Sequence, residues 1–72
     1  MSAPHCQVNG EKYALRIGTT ISDLIRAEGL NPESVRGVAV ALNNTVIRKN
    51  EWSGTVVNEG DRIEIVTAQQ GG

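Results

Sequence analysis

The sequence predicts an α+β domain of two layers, one short helix lying on one face of a sheet. Three observations carry this. Asn9-Gly10 sits between two alternating segments and is a strong short hairpin signal. One capped segment with an apolar stripe follows, from Ile21 to about Glu28. A last segment, Arg62-Ile63-Glu64-Ile65-Val66, alternates apolar and polar residues as a half-buried strand does. With 72 residues there is length for one domain and none for a second.

The hairpin is expected over residues 4–9 and 12–17. Cys6 and Val8 share one face of its first strand, and Tyr13, Leu15 and Ile17 share one face of the second. Gly18 ends that strand. Thr20 is placed as the N-cap of the helix, with Asp23 at the third helical position to complete a capping box. Asp23 also sets negative charge at the positive end of the helix dipole. Ile21, Leu24 and Ile25 form the buried stripe. Gly29 suits the left-handed C′ position, and Pro32 blocks continuation. A helix of about two turns is unstable alone in water, so it must lie on the sheet.

Asn31 to Ser34 reads as a turn or a single turn of 3₁₀ helix. Val38 to Leu42 is an apolar, β-branched run expected to be a central strand, and Asn43-Asn44 turns the chain into the brief strand Thr45 to Ile47. Trp52 falls in a polar loop, Arg48 to Thr55. Asn58-Glu59-Gly60-Asp61 is a turn before the final strand. The expected core is Val8, Leu15, Ile21, Leu24, Ile25, Val40, Leu42, Ile63 and Ile65.

Composition excludes several classes. Seven Lys and Arg against eight Asp and Glu give a net charge of −1, without the basic excess of a nucleic-acid binder. At 39% apolar the chain is too apolar for a disordered tail. Its longest apolar run, Val38 to Leu42, is far too short for a membrane span. Met1 to Cys6 offers neither the basic start nor the apolar stretch of a secretory signal, so a cytoplasmic location is expected. The single Cys cannot form an internal disulfide, and no Cys/His set holds a structural zinc. His5 and Cys6 are neighbours, and on a strand they point to opposite faces, which argues against a nucleophilic pair. No catalytic residue and no bound cofactor or metal is expected.

The end of the chain is the most suggestive part. Thr67-Ala68-Gln69-Gln70-Gly71-Gly72 follows directly on the alternating strand and is expected to be a flexible tail, residues 67–72. Fully extended, six residues reach roughly 20 Å. Without a Cβ, Gly71 and Gly72 could thread a narrow channel in another protein. Gln69 and Gln70 would hydrogen-bond there without adding charge near phosphates. A carboxylate is a poor electrophile, and joining it to AMP from ATP creates a good leaving group.

Val40-Ala41-Leu42-Asn43, Val46-Ile47, Trp52, Thr55, Gly60-Asp61-Arg62-Ile63-Glu64-Ile65-Val66 and Gly71-Gly72 together resemble the ThiS family of ubiquitin-like sulfur carriers. Val8-Asn9-Gly10-Glu11, Gly18-Thr19-Thr20 and Ser22-Asp23-Leu24-Ile25 also fit, so the resemblance spans Cys6 to Gly72. It implies a β-grasp fold, a mixed sheet of four to five strands packed on one helix. It also implies a protein-bound sulfur donor for the thiazole of thiamine rather than an enzyme. In that scheme an E1-like adenylyltransferase of the ThiF type activates the Gly72 carboxylate with ATP. Sulfur mobilised by a cysteine desulfurase makes a thiocarboxylate, and a thiazole synthase of the ThiG type accepts it.

Three departures stand out. Arg48-Lys49 occupies the place of a usual Pro-Arg, so a looser loop before Trp52 is expected. Glu28 replaces a usual leucine, so the helix stops short of it or its carboxylate reaches out to water. Ser2 to His5 precede the usual start and have no family role. Partner docking is expected on the outer sheet face at Val66 and Ala68, with Arg48 and Lys49 as steering charges. Trp52 reads as closing the core more than as a partner anchor. Alternatives are a carrier for another pathway, of the molybdopterin synthase small-subunit type, a ubiquitin-like protein modifier, and an interaction domain with an idle tail.

Overall fold

In the computed structural model, residues 3–68 are described. Strands β1 (His5–Val8) and β2 (Glu11–Ala14) form the antiparallel hairpin, with Val8 opposite Glu11. Asn9 and Gly10 connect them at φ 52° and 84°, the positive angles a two-residue type I′ turn needs. Strands β3 (Val38–Leu42) and β4 (Thr45–Ile47) repeat the device, with Asn43 and Asn44 at φ 50° and 71°. Strand β5 (Arg62–Thr67) joins the two hairpins. The order is β2-β1-β5-β3-β4, with β5 parallel to β1 and antiparallel to β3. β3 is therefore internal, as expected, and β5 is the middle strand.

Helix α1 (Ile21–Ala27) covers one face of this mixed sheet. Its capping box is complete: the Asp23 amide donates to the Thr20 hydroxyl, and the Thr20 amide donates to the Asp23 carboxylate at 2.9 Å. At its other end Gly29, at φ 85°, donates to Arg26 O while Leu30 donates to Ile25 O. This pair of bonds is a Schellman motif. Glu28 is the exposed C-cap, which resolves how an acidic residue is tolerated there: the helix ends before it.

The core contains Val8, Leu15, Ile21, Leu24, Ile25, Val40, Ile63 and Ile65 from the expected set, joined by Cys6, Trp52 and Val57. Leu42 packs at the margin, only partly buried. Burying an Ile or Leu side chain contributes about 1.5–3 kcal/mol, so the stripe Ile21, Leu24 and Ile25 holds the helix on the sheet.

Three expectations change. β2 ends at Ala14 rather than Ile17, because the chain turns at Arg16, where the Thr19 amide donates to Arg16 O. Leu15 still points inward, but Ile17 is fully exposed instead of sharing its face. The stretch after β4 is not a loose loop. Lys49–Gly54 forms a 3₁₀ helix that carries Trp52 inward. Finally, β5 extends through Thr67.

Candidate functional site

The functional reading concerns the end of β5 and the sheet face beside it. Gln69, Gln70, Gly71 and Gly72 lie outside the described residues. Their point of attachment is well defined. Thr67 pairs with Val38, and the Ala68 amide donates to Gly37 O at 2.6 Å. Strand pairing thus reaches Ala68, and the four residues from there to Gly72 span at most about 14 Å when extended.

Alternation along β5 turns Ile63 and Ile65 toward α1 and leaves Arg62, Glu64 and Val66 on the open face. Val66 is 61% exposed and lies opposite Ala39. Ala41 stands opposite Glu64 on one side and Val46 on the other, and Val46 is 72% exposed. Val46, Ala41, Ala39 and Val66 therefore make an apolar strip that meets Ala68 at the end of β5. The other half of the face is polar: Lys12 is opposite Gln7, and Gln7 is opposite Arg62. Sequence reasoning placed Val66 and Ala68 here but missed Val46, Ala39 and Ala41. Their signal was the outward phase of β3 and β4, where small or β-branched residues stand in place of charge.

The structure does not bring Arg48 and Lys49 to this strip as a pair. Arg48 is exposed at the start of the 3₁₀ helix. Lys49 Nζ donates to Val35 O at 2.8 Å and lines a cleft with Ser22 and Arg26, on the helix side of the sheet. Trp52 is 2% exposed, and its Nε1 donates to Ile47 O at 2.9 Å. It closes the core and offers no anchor to a partner.

Cys6 is 2% exposed and faces the core. Burial, reinforced by the nearby Asp61 charge, pushes its thiol above the ordinary range. A neutral, buried thiol is a poor nucleophile, so this residue is a core side chain and not a reactive one. Among the described residues no helix is long and apolar enough to cross a membrane.

Comparison with known proteins agrees with this architecture. A solved structure of the thiamine biosynthesis protein ThiS from Geobacter metallireducens superposes with a TM-score of 0.71, covering 94% of this chain and 99% of that one at 24% identity. A solution structure of a thiamine biosynthesis protein from the same organism gives 0.71 at 25% identity, covering 94% and 87%. Among sequence relatives, a thiazole synthase of Magnetococcus marinus is 35% identical over 65 residues. That match takes in 90% of this chain but only 19% of the relative, so the chain spans about a fifth of its length. The uncharacterized protein ycf40 of Porphyra purpurea is 27% identical over 66 residues, 92% of this chain and 89% of that protein. The family model of ThiS matches residues 6–72, nearly the whole sequence and its terminal glycines. The chain belongs to the ThiS family.

Proposed function

We propose that the protein carries sulfur on its C-terminal carboxylate for the synthesis of the thiamine thiazole. The observation that carries this reading is the family match running through Gly71 to Gly72, directly after a β5 whose end is tied to the sheet. In this reading Gly72 is the carboxyl terminus. An E1-like adenylyltransferase joins that carboxylate to the α-phosphorus of ATP and releases pyrophosphate. The terminal sulfur of a persulfide, drawn from cysteine by a desulfurase, then displaces AMP to give an acyl disulfide, and a thiol reductant cleaves its S–S bond, leaving the thiocarboxylate. The protein is a co-substrate and is regenerated when the sulfur is passed on.

A thiazole synthase is the acceptor in this scheme. The Magnetococcus marinus relative supports that partner, because the similar stretch makes up 19% of a protein called thiazole synthase. The strip of Val46, Ala41, Ala39, Val66 and Ala68 serves as the docking surface. It is apolar, exposed except at the half-buried Ala41, and adjacent to the attachment of the last four residues. With about 14 Å of extended chain beyond Ala68, a partner must rest on this end of the sheet to receive Gly72 in its site. Gln69, Gln70 and Gly71 thread that site.

ATP–pyrophosphate exchange with an E1-like adenylyltransferase tests the reading. Exchange is expected with the native chain and is lost when Gly72 is deleted, while the melting temperature stays within about 2 °C, because the core residues, from Cys6 to Ile65, are all kept. Equal exchange with the deleted chain would refute it.

A further inference from the structure

The contact between Gly37 and Ala68 has the form of a clamp on the last residue of the sheet. Gly37 precedes β3 and lies at φ 71°. Its carbonyl takes the Ala68 amide at 2.6 Å, one step beyond the Val38–Thr67 pair. A Cβ built on Gly37 would meet the Ala68 Cβ and carbonyl oxygen at 3.5 Å. That is ordinary contact distance, so space does not demand glycine here. The left-handed backbone does.

We infer that Gly37 is a positioning residue for the reactive terminus: by holding Ala68 it fixes the point from which the last four residues reach into a partner's site. The inference rests on the carrier reading above. Left-handed backbone disfavours a residue with a Cβ by about 5–30-fold. A single backbone hydrogen bond contributes only about 2–12-fold. The strain therefore outweighs the bond, and a β-branched residue at position 37 opens the clamp. Ala68, and then Thr67, are released from the sheet, and the activating enzyme must order them on binding. Ordering one further residue weakens productive binding by about 5–30-fold. Once the terminus is seated the chemistry is unchanged, so the loss falls on KM and not on kcat.

The test compares Gly37→Val with Gly37→Asn in ATP–pyrophosphate exchange by an E1-like adenylyltransferase, with hydrogen exchange read at Ala68 and Ile63 in the same samples. Asn tolerates the left-handed region and should behave like glycine. The Val variant is expected to raise KM at least about 5-fold with kcat within about 2-fold, and to speed exchange at Ala68 while Ile63 stays protected. If Ile63 also loses protection, Gly37→Ala carries the same sign of strain on a smaller side chain and is held to the same criteria. A Val variant with native KM would overturn the inference. So would an Asn variant impaired as much as Val, since that would mark a side-chain clash with the partner. Absence of exchange with the native chain would instead count against the carrier reading itself.

Discussion

The Asn9 carboxamide stands in for a missing strand residue against Ile65. Its Oδ1 accepts the Ile65 amide at 2.8 Å and its Nδ2 donates to Ile65 O at 3.2 Å. The parallel ladder of β1 and β5 runs through Asn9 N to Ile63 O, where Asn9 turns left-handed to enter the hairpin. The side chain continues the pairing that the backbone has abandoned. Asn43 does the same from the other hairpin, accepting the Arg62 amide on Oδ1 and donating to Asp61 Oδ1. Both turns thus hold the strand that leads to the terminus.

Replacing Asn9 separates its two roles. Asn9→Gly keeps the turn angle and loses both bonds to Ile65, at an expected cost of about 1–2 kcal/mol. Asn9→Ala adds left-handed strain and should cost about 1 kcal/mol more. Urea melts of the two variants check this, and equal destabilisation would show that the turn angle contributes nothing.

Thr20→Ala removes the side-chain half of the capping box and should cost about 1 kcal/mol, or about 4–8 °C in Tm for a domain of this size. Asp23 supplies the other half. Bonds from the Thr20 backbone, and then from the Thr20 hydroxyl and Arg26, hold its carboxyl below the usual range. A depressed carboxyl stabilises the fold above its unfolded pKa near about 3.9, and that stability is lost as pH falls through the folded value. Its side chain is about half exposed, so the effect is small. Asp23→Asn should accordingly flatten the acid limb of a Tm-against-pH curve, and an unchanged limb would count against the cap.

Cys6 has the opposite sign. Burial raises its thiol, so the fold keeps its full contribution below the unfolded pKa of about 8.5 and loses it as pH climbs through the folded value. Relative to the native chain, Cys6→Ala should lose less Tm between pH 7 and pH 10 and should still transfer sulfur. Loss of transfer without unfolding would make Cys6 a relay.

Trp52 links β4 to the core. Trp52→Phe leaves Ile47 O without its donor and should cost about 1–3 kcal/mol. Trp52→Ala should cost about 3–5 kcal/mol, enough to unfold a domain with so thin a margin. Equilibrium denaturation followed by circular dichroism measures both.

Much of this was legible in local chemistry. Asn9-Gly10 and Asn43-Asn44 signal hairpins because few residues accept positive φ, and Thr20, Asp23 and Gly29 mark the helix ends by the groups they satisfy. The parallel β1–β5 pair was not legible as such, since no local pattern specifies a partner more than fifty residues away. For the same reason the Asn9 and Asn43 side-chain bonds were invisible. Ile17 continues the alternation of the second strand in sequence, but pairing stops at Ala14, so its side chain stands in solvent. Val57 was missed because Val56-Val57 is too short to show a period, yet the Val57 amide donates to Thr19 O and its side chain enters the core. At the site, Val66 and Ala68 followed from the phase of β5. The role of Gly37 depended on a contact between chain segments that sequence leaves far apart.

The most direct measurement of the central claim is top-down mass spectrometry of the protein after incubation with ATP, an E1-like adenylyltransferase, a desulfurase-derived sulfur source and a thiol reductant. The exchange of one oxygen for sulfur nearly matches the mass of one oxidation, and Met1, Cys6 and Trp52 can all oxidise, so fragmentation must locate the change. The account predicts that it lies on Gly72 and is captured by a thiol alkylator. An unmodified Gly72 under these conditions would contradict it.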